Sequence, residues 1–408
     1  MSNELNILIF GSGHYVSGET ILTSKEATDK DLGIILPSLI TLRSQDRIDK
    51  IAVYSRSKEK IISIRSKYKN SSLLANFDSS FDHIEAESNS IKSSKNLLRS
   101  IQEIKFSAAI IALPDHMHKE AIEFCIQNEI PSMVLKPAVT SLEDFYYLKD
   151  LMPRDYLCMV DFHKVYDDAN MIIESSIRNN EVGRVLTAYS YMSQKIAMVD
   201  VYKNAISNEQ LNINHYLGCH YIHLIGFITM AKPICVRATG QYGKIKEKLD
   251  IDAFDTMQTS ITWMNDDGSM FESYHHAGWN DSNKSSSMSY QDMRINTTEG
   301  VIFSNQRNRG LEFVIGEKGS LISNPYFFYP IDSFDGDMNL DNKYGFISIK
   351  KFLDVLQSPD SDKSIKLTTF SESERVTAVI AAADLSIASN SSIVEIGYSD
   401  KYQLKVIN

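Results

Sequence analysis

The chain begins its first legible pattern at residues 5–10, LNILIF, a nearly continuous apolar run that stops at Gly11. A run of that length ending in glycine predicts a strand buried inside a parallel sheet and feeding a tight turn. Similar runs recur at 51–54 (IAVY), 108–113 (AAIIAL), 132–135 (SMVL) and 157–160 (LCMV). Helical patterns separate them, at about 35–44, 57–67, 96–104, 117–129 and 141–151. Buried strands alternating with helices predict βαβ units and a doubly wound parallel sheet over residues 1–160. Within this region, 69–99 is rich in Ser, Asn and Lys and reads as an exposed excursion.

Beyond residue 184 the texture changes. RVLTAYSYMSQ, MQTSITWM and SMFESYHH alternate apolar and polar positions, as strands half-buried on one face do. Helices are expected near 214–230, 344–357 and 373–388. Residues 161–408 therefore read as an α+β domain built on a large, mostly antiparallel open sheet, with the last helix able to return to the first domain. There is no internal repeat.

Composition narrows the function classes. The 408 residues are 43% hydrophobic and 23% charged, with 20 Tyr and 18 Phe, which fits a folded protein. Lys and Arg total 42 against 52 Asp and Glu, a net charge of −10, which argues against a nucleic-acid backbone binder. No stretch approaches the ~20 apolar residues of a membrane span. Cys125, Cys158, Cys219 and Cys235 lack metal or disulfide spacing, and no leader pattern follows Met1, so a cytoplasmic location is expected.

The first strand runs into GSGHYVSG. In a dinucleotide site the first glycine makes the turn, the second lets the backbone approach the pyrophosphate and the third permits close packing of the helix. Here Gly11 and Gly13 are in place, His14 and Tyr15 follow, Val16 stands where the third glycine belongs, and Gly18 comes two residues later. The second strand ends in Ser55, Arg56 and Ser57 with no carboxylate. An acidic residue there would accept a ribose 2′-hydroxyl, whereas Arg and hydroxyl donors suit a 2′-phosphate, so NADP is favoured over NAD.

Two later segments carry chemistry. The run AAIIALPDHMHKEAIEF places Leu113, Pro114 and His118 after a buried strand, and SMVLKP places Lys136 and Pro137 after the next. Further on come DFHKVYDD and NHYLGCHYIHLIGFI. In this order the segments resemble the glucose-fructose oxidoreductase, inositol dehydrogenase and MocA family. The resemblance covers nearly the whole chain. It implies a Rossmann domain binding NAD(P), with contacts from Gly11, Gly13, His14, Tyr15, Ser55, Arg56, Ser57, Leu113, Pro114, His118 and Lys136. It also implies a sugar or cyclitol substrate and a homodimer or homotetramer formed through the open sheet.

By the same resemblance Lys136 is the catalytic lysine and His220 the histidine that exchanges the hydroxyl proton. An imidazole titrates near working pH and suits that role. Helical spacing puts Tyr216, His220 and His223 on one face. The family commonly has carboxylates where Tyr216, His223 and Leu135 stand here, so either Tyr216 substitutes as a phenolic donor, or the substrate brings its own negative charge, or the chain is catalytically weak. His163, Lys164, Tyr216 and His223 are candidate substrate contacts. Trp279, Tyr290, Gln291, Asp292 and Arg294 are weaker ones, since plain strands have the same composition. A metal site is not expected, because His215, His220 and His223 lack zinc spacing and His275 and His276 point to opposite faces of a strand.

The sequence thus reads as an NAD(P)-dependent oxidoreductase acting on a secondary alcohol of a sugar, nucleotide-sugar or cyclitol. Two alternatives stay open. One is an enzyme that keeps NAD(H) bound and uses transient oxidation for elimination, hydrolysis or epimerisation. The other is a non-catalytic dinucleotide or sugar sensor.

Overall fold

A computed structural model describes residues 4–19, 32–88, 90–208, 211–316, 319–328, 331–332, 338–340, 343–358 and 367–407. The polar stretch 20–31 lies outside the described residues. Six strands form the first sheet: β1 (Leu5–Phe10), β2 (Ile48–Ser55), β3 (Asp82–Glu85), β4 (Ala108–Ile111), β5 (Ser132–Leu135) and β6 (Cys158–Asp161). All pair in parallel, in the order β3-β2-β1-β4-β5-β6. Ile7 to Phe10 and Ala108 to Ile111 are completely buried, as central strands covered on both faces must be.

The helices of this region are α1 (His14–Ser17), α2 (Ile35–Ser44), α3 (Lys58–Lys69), α4 (Lys95–Glu103), α5 (His118–Gln127) and α6 (Leu142–Leu151). Ser57, Ser94 and Ser141 cap α3, α4 and α6 by accepting backbone N–H bonds. The expected excursion at 69–99 needs correction, because it contains the edge strand β3. Only Ile84 of that strand is buried. One buried side chain suffices at a sheet edge, which is why the Ser- and Asn-rich composition concealed a strand.

The chain then forms α7 (Asp168–Arg178), β7 (Val185–Lys195), α8 (Met198–Ser207), a π turn at Asn214–Gly218 and α9 (Cys219–Thr229). There follow β8 (Lys232–Gln241), α10 (Lys244–Leu249), β9 (Thr256–Met264), β10 (Met270–Asp281), β11 (Ser289–Thr297) and β12 (Gly300–Asn305). Two small hairpins pair β13 (Leu311–Ile315) with β14 (Gly319–Ser323), and β15 (Ile331–Asp332) with β16 (Met338–Asn339). The chain ends with α11 (Tyr344–Gln357), α12 (Glu374–Ala388), β17 (Ile393–Tyr398) and β18 (Tyr402–Ile407).

The second sheet runs β12-β11-β7-β10-β9-β8-β17-β18 and is antiparallel except for β7 with β10. Its buried face packs on α9 and α12. A chain of polar side chains sits inside that core: Trp263 Nε1 donates to Ser273 Oγ at 2.7 Å, and His275 lies 2.8 Å from Ser273 Oγ and 2.7 Å from Ser190 Oγ.

The C-terminal part also grips the first sheet. The N–H of Val160 donates to Thr368 O at 2.7 Å and that of Phe370 to Cys158 O at 2.8 Å, so this segment lies antiparallel along β6. Phe370 stacks on Phe145 with centroids 4.7 Å apart, and Glu374 receives hydrogen bonds from Tyr146 Oη and Lys149 Nζ. On the far side, Arg47 joins α11 through Gln357 and Asp354. Among the described residues no helix is long and apolar enough to cross a membrane.

Candidate active site

The site starts from a steric constraint at the end of β1. Gly11 has φ +102°, and a Cβ there would stand 2.3 Å from the carbonyl oxygen of Ala112 at the end of β4. Only glycine lets the two strand ends pass so closely. At Gly13, by contrast, no atom lies within 4 Å of the Cβ position, and the bare backbone forms part of a cavity wall. The single-turn α1 ends at Gly18, and Val16 is fully buried. The close approach usually given to a third glycine falls instead to Gly33, whose Cβ would meet the backbone nitrogens of Ser17 and Gly18 at 2.5 Å. Position 33 was not singled out from the sequence, because its partner in contact is distant along the chain.

A cavity of about 560 Å³ opens where β1 and β4 diverge, between their carboxyl ends and the second sheet. That is the topological switch point of the strand order, where sheets of this kind collect ligands. Of the residues expected at a site, Gly13, His14, Tyr15, Arg56, Leu113, Pro114, His118, Lys136, His163, Lys164, Tyr216 and His220 line it together. Gly11, Ser55, Ser57 and His223 do not. Gly11 lies beneath the turn. Ser57 Oγ accepts from the Lys60 N–H at 3.1 Å as a helix cap, and Ser55 Oγ lies 3.3 Å from His83 Nε2.

Lys136 follows β5 directly. Its Nζ donates to the carbonyl oxygen of Tyr216 and sits 4.8 Å from the centroid of that ring. The π turn at Asn214–Gly218 widens the helix at this point, and such turns recur at functional sites. Tyr216 Oη lies 3.0 Å from Tyr202 Oη, and burial, then Tyr202, raises the Tyr216 pKa far above its ordinary value. The phenol therefore stays protonated. His118 is completely buried, with Nδ1 2.9 Å from Pro137 O and Nε2 2.8 Å from Leu113 O. It ties the turn after β4 to the turn after β5 and so holds Lys136 in place.

Lys164, for which the sequence left exposure open, is 3% exposed. Its Nζ donates to Gln291 Oε1 at 2.5 Å and Gln306 Oε1 at 2.9 Å. Two cavity carboxylates were not singled out from the sequence. Asp161 ends β6 and Asp115 follows Pro114, and each has one buried oxygen without a partner among the described residues. Strand-end position was the available signal for Asp161. These groups return negative charge to a site whose sequence lacks three expected carboxylates.

His223 is a correction. It does not line the cavity but stacks on Phe162 with centroids 3.7 Å apart, because three residues of regular helix after His220 turn it about 60° round α9 from that face. His215 turns a third way. Burial pushes its pKa down, but the Asp384 carboxylate, 2.6 Å from Nε2, more than reverses this and raises it. Of the weaker candidates only Gln291 lines the cavity. Trp279 is fully buried behind Tyr216, Tyr290 lies under Arg307, and Asp292 and Arg294 pair with Tyr191 and Tyr189 on the other face of the sheet.

No protein-family model and no curated protein matches the chain. Solved structures do. The fold is similar to scyllo-inositol dehydrogenase from Lactobacillus casei with bound NAD(H) and scyllo-inositol, with a TM-score of 0.69 at 16% identity over 96% of this chain and 99% of that one. It is similar to myo-inositol 2-dehydrogenase from Lactobacillus plantarum, with a TM-score of 0.67 at 13% identity over 97% and 100%. An oxidoreductase from Agrobacterium radiobacter in complex with NAD+, L-tartaric acid and magnesium gives 0.65 at 14% identity over 96% and 98%. At these identities the likeness establishes the fold.

The buried imidazoles make a pH prediction. Burial, together with nearby Arg375 for His223, pushes His223 and His275 down to about 3. The unfolded chain, with histidines near 6.5, therefore takes up these protons first as pH falls. Stability from both groups is complete above about pH 6.5 and is lost progressively toward pH 3. Thermal unfolding should show Tm falling across that window, and His223→Phe should flatten the slope by up to one proton. An unchanged slope would show that His223 is already protonated when folded.

Proposed function

We propose that the chain is an NAD(P)-dependent oxidoreductase acting on a secondary alcohol of a sugar, nucleotide-sugar or cyclitol. One observation carries the reading: Lys136, the bare backbone at Gly13 and two imidazoles, His163 and His220, line the same cavity at the switch point of a dinucleotide-type sheet. The residues present fit a dinucleotide. Gly13 leaves open the space a Cβ would fill, Arg56 stands at the cavity wall beyond the end of β2, and no carboxylate ends that strand. Arg56 with a strand end free of carboxylate supports NADP over NAD. The cofactor, when bound, supplies hydride acceptance and donation.

The chain's own groups then divide the work. Lys136 brings a cation to the reacting oxygen, where it favours developing negative charge. Its contact with the Tyr216 carbonyl fixes the direction of its Nζ. Tyr202 and Tyr216 form an aromatic wall with hydroxyl edges, suited to a polyol that offers both C–H faces and hydroxyl groups. The carbinol proton passes to an imidazole, and two are within reach. Met192 on β7 and Gln291 on β11 bring the second sheet to the cavity, and Met288 and Leu211 add apolar lining beside them. Tyr189, Tyr274 and Phe303 stand exposed on its other face, which supports association into a homodimer or homotetramer.

Lys136→Met should lower kcat with a responsive polyol by about 10²–10³. Undiminished turnover, read from nicotinamide absorbance, would remove Lys136 from the chemistry. Arg56→Ala should reduce the preference for NADPH over NADH by about tenfold in fluorescence titrations. An unchanged ratio would contradict the NADP assignment.

A further inference from the structure

We propose that Asp384 on α12 is a positioning residue for Lys136, acting through His215 and the π turn whose backbone carbonyl holds the lysine ammonium. That Lys136 takes part in the reaction rests on the oxidoreductase reading above; the chain of contacts does not. Asp384 Oδ2 lies 2.6 Å from His215 Nε2, and Asp384 Oδ1 accepts from Asn212 Nδ2 at 3.0 Å. An ionised carboxylate can only accept, so Nε2 carries the imidazole proton and the ring is held in one orientation. Asn212 closes the loop, because its Oδ1 accepts the backbone N–H of His215 at 2.9 Å. One carboxylate thus holds the His215 side chain directly and, through Asn212, its main chain at the entry to the π turn.

The turn passes this constraint on over a single peptide. Tyr216 follows His215; its N–H donates to Asn212 O at 3.1 Å, and its carbonyl oxygen accepts from Lys136 Nζ. The rest of the turn leaves little slack. Cys219 Sγ donates to His215 O at 2.9 Å, and Asn214 Oδ1 accepts from Thr259 Oγ1 on β9 at 3.5 Å. A Cβ at Gly218 would stand 2.1 Å from that same Asn214 oxygen, so glycine is what lets the amide fold back over the turn. With His215 tied at side chain, N–H and C=O, the Tyr216 carbonyl keeps one direction and the ammonium follows it.

Helix α12 supplies the fixed end. Its first residue, Glu374, receives hydrogen bonds from Tyr146 Oη and Lys149 Nζ of α6, and ten residues later Asp384 meets His215. That length of helix spans about 15 Å, so α12 is a strut between the first domain and the π turn. The charged groups acting on His215 are Asp384 from α12, Asp115 from the turn after β4 and Lys136 from the turn after β5, with the Cys219 thiol next to it on α9. Burial and Lys136 lower the His215 pKa, whereas Asp384 and then Asp115 raise it beyond its ordinary value. Asp384 therefore offsets the cost of burying the imidazole that pins the turn.

The link is tested on the intact protein, without substrate, by reductive methylation of lysines read by peptide mass spectrometry. Asp384→Ala should speed labelling of Lys136 about fivefold relative to the exposed Lys105, the effect of loosening one hydrogen bond. His215→Phe, which keeps a ring and removes its donor, should do the same. Unchanged labelling of Lys136 in Asp384→Ala, an equal rise at both lysines, or a rise absent from folded His215→Phe would overturn the link. ¹⁵N NMR of labelled histidine reads the first contact separately: the His215 midpoint should fall in Asp384→Ala, and an unchanged midpoint would overturn the proposal whether or not His215→Phe folds. The catalytic arm uses inositols and sugar alcohols with NADP+ or NAD+. Asp384→Ala should lower kcat about tenfold with KM little changed, and should add nothing to Lys136→Met. An equal further loss in the Lys136→Met background would overturn the positioning role. If no polyol reduces the cofactor, the oxidoreductase reading fails, while labelling and NMR still decide the link.

Discussion

The close passage of β1 and β4 governs the rest of the molecule. A side chain at position 11 would strike the Ala112 carbonyl, so the two buried strands meet at a glycine and their continuations leave in opposite directions. The divergence creates a concavity at the carboxyl end of the sheet. The turns after β4, β5 and β6 then deliver Asp115, Lys136 and His163 into one volume. His118 joins two of these turns by its ring nitrogens, and the segment at 368–370 clamps the outer strand β6. The precision of the site comes from these backbone constraints.

Charge placement follows from the same geometry. The chain is acidic overall, at −10, yet the cavity concentrates Lys136 and Lys164. Lys164 is buried against two amide oxygens, and Lys136 is held by a carbonyl and an aromatic face. Amide and carbonyl acceptors orient these two ammonium groups within the cavity. Asp161 and Asp115 line the same cavity. Local cations and anions within a few residues of each other favour a polar ligand with several hydroxyls over an apolar one.

Much of this was legible along the chain. Continuous apolar runs marked β1, β2, β4, β5 and β6, because strands buried on both faces have no alternative composition. The glycine turn and the Lys136–Pro137 step sat at strand ends, where sequence order alone predicts convergence. The failures have physical reasons. β3 needed only Ile84 buried, so its pattern was too weak to read. Gly33 matters through a contact with Ser17 and Gly18 that no local periodicity encodes. His223 was misplaced because three helical residues carry it round α9 from His220 onto Phe162. Asp161 was passed over because Tyr15, whose Oη lies 3.3 Å from Oδ2, is brought to it by folding from a turn far earlier in the chain.

The central claim is that the cavity at the switch point receives the dinucleotide over the bare backbone at Gly13. Titrating NADPH into the wild type and into Gly13→Val, with circular dichroism to confirm equal folding, tests it directly. The account predicts saturable binding by the wild type and its loss in the variant, since an isopropyl group would fill the space left open there. Equal affinity in the two proteins, or no binding to either, would contradict it.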